Sequence, residues 1–188
     1  MRWLVFWLMA YLFAGLQVGA SPLLRLGASD VRPDFLFILM VFIAATGPAV
    51  PVLWAALVLG LLVDLTTTQG MPGSVIIGPY ALGFALGALL ILQMRAMVYR
   101  RHPLTTALLT LLAGAATHLL ATFLLTAHQL ISSRSSQGLS GWSATDTLVN
   151  AFLVTLYSSV VTLLLTPILN PLMAALMHQV YPRGSQGR

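Results

Sequence analysis

Few side chains in this chain could do chemistry, and most of them lie at the ends of apolar segments. Asp34, Asp64 and Asp146 each fall at such an end, and His118 is the one ionisable residue near the middle of a segment. Ionisable groups inside a membrane normally mark proton relays, ion sites or catalytic centres. Their scarcity in the segment interiors argues against a pump or an ion-coupled antiporter.

Enzyme chemistry finds little support in the residue pattern. There is no cysteine, so thiolate nucleophiles and thiolate metal sites are excluded. No serine sits in a Gly-x-Ser-x-Gly frame, and His118 has no evident serine partner. The four histidines (102, 118, 128 and 178) are scattered along the chain instead of clustered with acids. We therefore predict no catalytic residue, no metal site and no cofactor.

The aspartates instead suggest structural roles. Asp34 and Asp146 stand where helices should begin, and an acid there caps the helix and suits its positive end. Asp64 stands where a helix should end, and the helix dipole disfavours an anion there. It therefore needs a partner, which we expect to be Arg25, Arg32 or backbone N–H groups of the 66–73 loop. For His118 we expect a hydrogen bond between helices.

Composition sets the frame in which these residues must be held. The chain has 188 residues, of which 59% are hydrophobic and 7% charged, with a mean hydropathy of +0.93. A soluble domain carries about 25% charged residues. The apolar runs do not alternate with polar residues as β-strands would, so we predict an all-α integral membrane protein, a compact bundle without a soluble domain.

Six membrane spans fit the length of the chain, at about 20 residues for each span. The predicted spans are 3–20, 34–47, 50–66, 74–94, 103–127 and 145–169. The second is short, so it must extend into its flanks, thin the bilayer or be sheltered by neighbours. Pro167 and Pro171 predict a kink or break before an interfacial helix at 171–181, and residues 129–144 read as a Ser-rich loop. A cleaved signal peptide, with its site at Val18-Gly19-Ala20, stays open for the first segment.

Arginine placement predicts the orientation of these spans. With the N-terminus inside, six arginines (2, 95, 100, 101, 183 and 188) face the cytoplasm and three (25, 32 and 134) face outward. The positive-inside rule favours that arrangement. Both termini are then cytoplasmic, and the net charge of +5 reflects orientation rather than nucleic-acid binding.

The segment from residue 30 to 95 resembles the rod shape-determining membrane protein MreD family. The resemblance is carried by Arg32-Pro33-Asp34, by Gly60-Leu-Leu-Val-Asp64-Leu with a Gly-rich turn after it, and by Pro79-Tyr80-Ala-Leu-Gly83-Phe. It implies a non-enzymatic scaffold of the bacterial cell-wall elongation machinery in the cytoplasmic membrane. The implied partner is the membrane helix of MreC, with RodA, a class B penicillin-binding transpeptidase and MreB as indirect partners.

Seven residues are the candidates for structural or partner-binding roles: Pro33, Asp34, Gly60, Asp64, Gly70, Gly83 and Gly87. Small residues four apart let helices approach closely in lipid. We expect Gly60, Gly83, Gly87 and the Gly15/Gly19 face to line an exposed groove for a partner helix.

The resemblance also leaves a second function open. The MreD family resembles in fold the substrate-binding S-components of energy-coupling-factor vitamin transporters. Those proteins use an Ala-x-x-x-Ala face on the first helix to meet the transporter subunit, and Ala10 and Ala14 match that spacing. A vitamin-binding S-component is therefore the alternative expectation.

Overall fold

A computed structural model of the protein describes residues 3–26, 31–66, 76–95, 103–132 and 144–177. These residues form six α-helices and one short 3-10 helix, with no strand among them. The α-helices are α1 (Trp3–Gly19), α2 (Phe35–Thr46), α3 (Ala49–Thr66), α4 (Pro79–Met94), α5 (Pro103–Ser132) and α6 (Ala144–Met177), and the 3-10 helix is Ser21–Leu24. The predicted all-helical class is confirmed.

Three of the helices are long and apolar enough to cross a membrane: Ala49–Thr66, Pro103–His128 and Thr145–Leu169. The other three are shorter apolar helices. Large apolar side chains cover much of the outside, with Tyr11 at 85% and Phe123 at 68% exposure. Such a surface suits lipid better than water, because soluble proteins rarely expose large contiguous apolar areas. The structure is therefore consistent with a membrane protein.

Helix α2 is the centre of the bundle. Every residue from Phe35 to Ala44 is buried, and α2 contacts α1, α3, α4, α5 and α6. A helix that is apolar on all sides belongs in such a position. Its 12 residues span about 18 Å, well short of a bilayer core of about 30 Å. Of the three expectations for this short segment, shelter by neighbouring helices is the one observed.

Successive helices run in alternating directions, which gives the bundle two distinct ends. At one end, called here the Asp34 end, α1 and α3 finish and α2 and α4 begin. At the other, called the Arg95 end, α4 finishes beside the C-terminus of α2. The resemblance-bearing residues Asp34 and Asp64 lie together at the Asp34 end.

Three helix boundaries differ from the prediction. Helix α4 begins at Pro79 instead of 74, because Gly78 and Pro79 form its start. Helix α5 continues to Ser132, into the segment predicted as a loop; residues 133–143 lie outside the described part.

Helix α6 runs unbroken through Pro167 and Pro171 to Met177, so the predicted break is wrong. The separate helix predicted at 171–181 is in its described part a continuation of α6, and 178–181 lie outside the described residues. Membrane-type helices tolerate such prolines because neighbouring helices and Ser/Thr side chains satisfy the freed backbone groups.

Candidate functional site

Asp64 joins α3 to the start of α4. Its side chain is 1% exposed, and its two carboxylate oxygens accept hydrogen bonds from three backbone amides. The Gly78 amide donates to Oδ2 at 2.9 Å, the Tyr80 amide to Oδ1 at 3.1 Å and the Ala81 amide to Oδ2 at 3.1 Å. All three amides lie at the start of α4, where backbone N–H groups have no acceptor within their own helix.

The local sequence of α4 explains why a carboxylate from another helix is needed. Gly78 is the N-cap residue, has no side chain to cap with and adopts φ 126°, a conformation that favours glycine. Pro79 follows at the first helical position and has no N–H to satisfy. Asp64 therefore acts as the cap of α4 from outside that helix.

This contact also resolves the electrostatic problem that the sequence raised. Asp64 stands near the negative end of α3, yet it touches the positive end of α4, where a carboxylate is stabilised. These three partners differ from the expected ones, and residues 67–73 of the expected loop lie outside the described residues. The three donors come from α4, beyond the 66–73 loop, and neither Arg25 nor Arg32 supplies any of them.

Gly60 makes this docking sterically feasible. It lies one turn before Asp64 on the same face of α3. A Cβ atom at Gly60 would stand 2.5 Å from the Tyr80 carbonyl oxygen and 2.6 Å from the Ala81 Cα. Both distances are shorter than side chains tolerate, so only glycine lets the first turn of α4 come this close. Gly60 and Asp64 thus act together: Gly60 leaves room for the backbone of the first turn of α4, and Asp64 accepts hydrogen bonds from that backbone.

Asp34 caps α2, as the sequence predicts. Its Oδ1 accepts the Phe37 amide at 3.0 Å, while its own backbone N–H donates to Ser158 Oγ of α6 at 2.9 Å. The next amide, of Phe35, donates to Gln17 Oε1 of α1 at 2.7 Å. Pro33 was expected in the first turn, but it precedes the cap residue and lies outside the helix. The buried start of α2 is thereby bonded by its own cap residue and by two other helices, α1 and α6.

Arg95 closes the opposite end of α2. Its Nη1 donates to the Ala44 carbonyl at 3.1 Å and to the Gly47 carbonyl. A guanidinium suits this position because the last carbonyls of a helix lack internal partners and carry partial negative charge. The sequence had assigned Arg95 only to the cytoplasmic basic cluster, since nothing local links it to a helix that ends 49 residues earlier in the chain.

The glycines of α4 pack inside the bundle. A Cβ atom at Gly83 would stand 2.9 Å from the Thr117 carbonyl oxygen, and one at Gly87 would stand 2.7 Å from Thr117 Oγ1. Thr117 of α5 also donates its hydroxyl to the Gly83 carbonyl at 2.9 Å. These contacts join α4 to α5 in the way that small residues and hydroxyls join membrane helices.

The expected groove for a partner helix is therefore not formed by Gly60, Gly83 and Gly87. Each of these glycines is taken up by a neighbouring helix of the same chain. The Gly15/Gly19 pair differs, because both residues are exposed and a Cβ atom at either would meet nothing within 4 Å. Gly70 lies outside the described residues.

A polar cavity opens at the Asp34 end, between α1, α4, α5 and α6. Its volume is about 180 Å³. The polar residues lining it include Gln17, Arg32, Asp34, Tyr80, His118 and Asn150. His118 was expected to hydrogen-bond another helix; instead its ring meets the Tyr80 ring edge to face, with centroids 6.0 Å apart. The sequence placed Asp34 here but did not indicate that Gln17, Tyr80 and Asn150 would join it.

The cavity lining offers charged and polar side chains that could bind a ligand. Among the described residues, no group of three or more His, Cys, Asp or Glu residues could hold a metal ion. The hydroxyls of the buried serines of α6 bond backbone groups: Ser158 Oγ accepts from the Asp34 amide and Ser159 Oγ donates to the Ala107 carbonyl.

Comparison with protein-family models, with curated proteins and with solved structures finds no match to this chain.

Proposed function

We propose that this chain is a six-span protein of the bacterial cytoplasmic membrane with both termini in the cytoplasm. Two observations support the proposal. Helices α1, α2 and α4 are shorter than a typical span, but each lies in a bundle with three helices that are long enough to cross. Arg95, the described member of the six arginines predicted to face the cytoplasm, lies at the end of the bundle opposite Asp34, as the positive-inside rule would require of that set.

Within that membrane, we propose a non-enzymatic scaffold of the cell-wall elongation machinery that binds the membrane helix of MreC. RodA, the class B penicillin-binding transpeptidase and MreB would then be indirect partners. The observation that supports this proposal is that the residues that resemble the MreD family motifs make contacts between helices. Asp34 (through its backbone N–H), Gly60, Asp64 and Gly83 all join helices of this chain to one another. Such residues build a rigid body for assembly rather than a site of turnover.

The partner helix would pack on α1. Its Gly15/Gly19 pair is open, and α1 also exposes Trp7 and Tyr11, at 52% and 85%. Small residues four apart allow close approach of a second helix, and large side chains beside them supply contact area. Helix α1 lies at the edge of the bundle, where it packs mainly against α2.

Capture of this chain by its own tag, from native membranes that contain full-length MreC, tests the proposal. The double variant Gly15→Leu/Gly19→Leu is expected to lower MreC recovery by about tenfold or more, the equivalent of about 1.4 kcal/mol. Leu164→Trp is the control, because it adds bulk to an exposed face of α6. If the double variant and the Leu164→Trp protein recover MreC equally, the proposal that MreC packs on α1 is wrong. Recovery of a vitamin or an ATPase module, with no single-span partner, would overturn the scaffold.

The cavity favours one second candidate, a vitamin-binding S-component. It is polar and lies at the end that would face outward. Two features count against this function. Its volume of about 180 Å³ is below the roughly 300–1,000 Å³ of typical ligand pockets. Ala10, which would serve the transporter contact, is 1% exposed and packs in the core with Ala14 beside it.

A further inference from the structure

An apolar groove lies near the polar cavity. Both spaces are lined by α6 and by the segment that precedes α2. The groove has a volume of about 320 Å³ and is lined by Leu26, Val31, Leu153, Leu156, Tyr157 and Val160. Val31 lines the groove, while Arg32 and Asp34 line the cavity. On α6, Leu153 lines the groove and Val154 the cavity. Neighbouring residues of each segment therefore line different spaces.

The groove wall is held in place by the backbone. The Leu26 amide donates to the Val31 carbonyl at 3.2 Å, which brings these two side chains together opposite α6. Apart from the Tyr157 ring, the lining consists of aliphatic side chains. A groove of this composition on a membrane protein matches a hydrocarbon chain, since it offers dispersion contacts and almost no hydrogen-bonding group.

The cavity presents opposite charges two residues apart. The Arg32 guanidinium has five N–H donors in a planar fork that matches phosphate oxygens. The Asp34 carboxylate uses one oxygen for the Phe37 amide, and a carboxylate has about four acceptor positions, so it can also accept from an ammonium group. The cavity volume of about 180 Å³ is small. That space suits a compact zwitterion.

We propose that the cavity and the groove together bind a zwitterionic phospholipid with an ethanolamine headgroup. The phosphate contacts Arg32, the primary ammonium contacts Asp34, and one acyl chain lies in the groove against Leu156 and Val160. The proposal requires only that the chain lies in a membrane, and it is independent of MreC binding. A free zwitterion such as phosphoethanolamine shares the headgroup chemistry and is separated from the lipid by the test.

Native mass spectrometry of the full chain tests the proposal. The purified, delipidated protein is incubated with equal amounts of phosphatidylethanolamine, phosphatidylglycerol and phosphatidylcholine, and the retained lipid is measured. Phosphatidylethanolamine is expected to be retained about tenfold better than phosphatidylglycerol, which lacks the ammonium, because hydrogen bonds between charged groups are the strong ones. Phosphatidylcholine should also be retained poorly, since its quaternary ammonium donates no hydrogen bond.

Two variants locate the site. Arg32→Gln should reduce phosphatidylethanolamine retention to the phosphatidylglycerol level. Val160→Trp should fill the groove and lower retention of the lipid by about tenfold, a loss comparable to that of buried chain contacts. Leu164→Trp, one turn further along the exposed face of α6 and outside the groove, should leave retention unchanged. Asp34 is not varied, because its loss would also uncap α2.

Three outcomes would overturn the proposal. The first is equal retention of phosphatidylethanolamine and phosphatidylglycerol. The second is a Val160→Trp protein that retains lipid as well as the Leu164→Trp protein does. The third is full displacement of the lipid by an equal concentration of free phosphoethanolamine, which would identify the ligand as a soluble zwitterion. A failure of MreC capture would not produce any of these results.

Discussion

Replacing Asp64 by alanine should destabilise the protein more than any other single loss of an acid. The change leaves the Gly78, Tyr80 and Ala81 amides without their acceptor. An unsatisfied buried donor costs about 1–3 kcal/mol, and since these amides are only partly buried we use the lower value for each. The expected loss in the free energy of unfolding is therefore about 3 kcal/mol.

Asp64→Asn refines the same prediction. The amide oxygen of asparagine can still accept two of the three N–H groups, but its NH2 group must face the third, donor against donor. The expected loss is about 1–2 kcal/mol, intermediate between aspartate and alanine. This ordering would not arise if Asp64 mattered only through its size, because asparagine and aspartate are nearly isosteric.

These losses are measured by unfolding the protein in mixed micelles. The fraction of denaturing detergent is raised, and the helical signal is followed by far-ultraviolet circular dichroism. Asp146→Ala is the matched control, because Asp146 is also an acid at a helix start but is exposed. Its expected cost is about 0.3–1 kcal/mol. The explanation of Asp64 as a cap shared between helices fails if Asp64→Ala and Asp146→Ala destabilise the protein equally, or if Asp64→Asn costs as much as Asp64→Ala.

Three further variants test other contacts in the same unfolding assay. Gly60→Ala should cost about 1–3 kcal/mol through overpacking, while Gly19→Ala, where a Cβ meets nothing within 4 Å, should cost nothing or stabilise α1; equal effects would contradict the close approach at Gly60. Gly78→Ala should cost about 1–3 kcal/mol because its positive φ strains an L side chain, and no loss would show that the backbone relaxes. Arg95→Gln should cost about 1–2 kcal/mol through the bonds to Ala44 and Gly47, and an unchanged midpoint would remove Arg95 as the cap of α2.

The helices themselves were predictable because each is a run of apolar residues with a recognisable start. Asp34 stood before its run and caps it, as the pattern predicts. The exceptions are instructive. Helix α4 begins at Pro79, five residues after the predicted start at 74, because proline prefers the first helical turn. Pro167 did not end α6, because membrane helices tolerate proline.

The contacts between helices were much harder to predict. The sequence showed that Asp64 needed a partner, but a suitable partner lies on another helix 14 to 17 residues away. The pairing of Gly87 with Thr117 and of Arg95 with Ala44 likewise depends on which helices are neighbours. Apolar runs on all sides carry no periodicity that reveals a buried face, so the central position of α2 could not be read from its pattern.

The enclosure of α2 has a consequence for the order in which the chain is made. The amide of Asp34 is bonded by Ser158, which is synthesised 124 residues later. At about 5–20 residues per second, translation takes roughly 6–25 s to supply that partner. During this interval α2 is also too short to rest across a bilayer alone, and an unmet backbone group in lipid costs several kcal/mol. Biogenesis of this protein therefore passes through a stage in which its innermost helix is present before α6, which supplies the acceptor for the Asp34 amide.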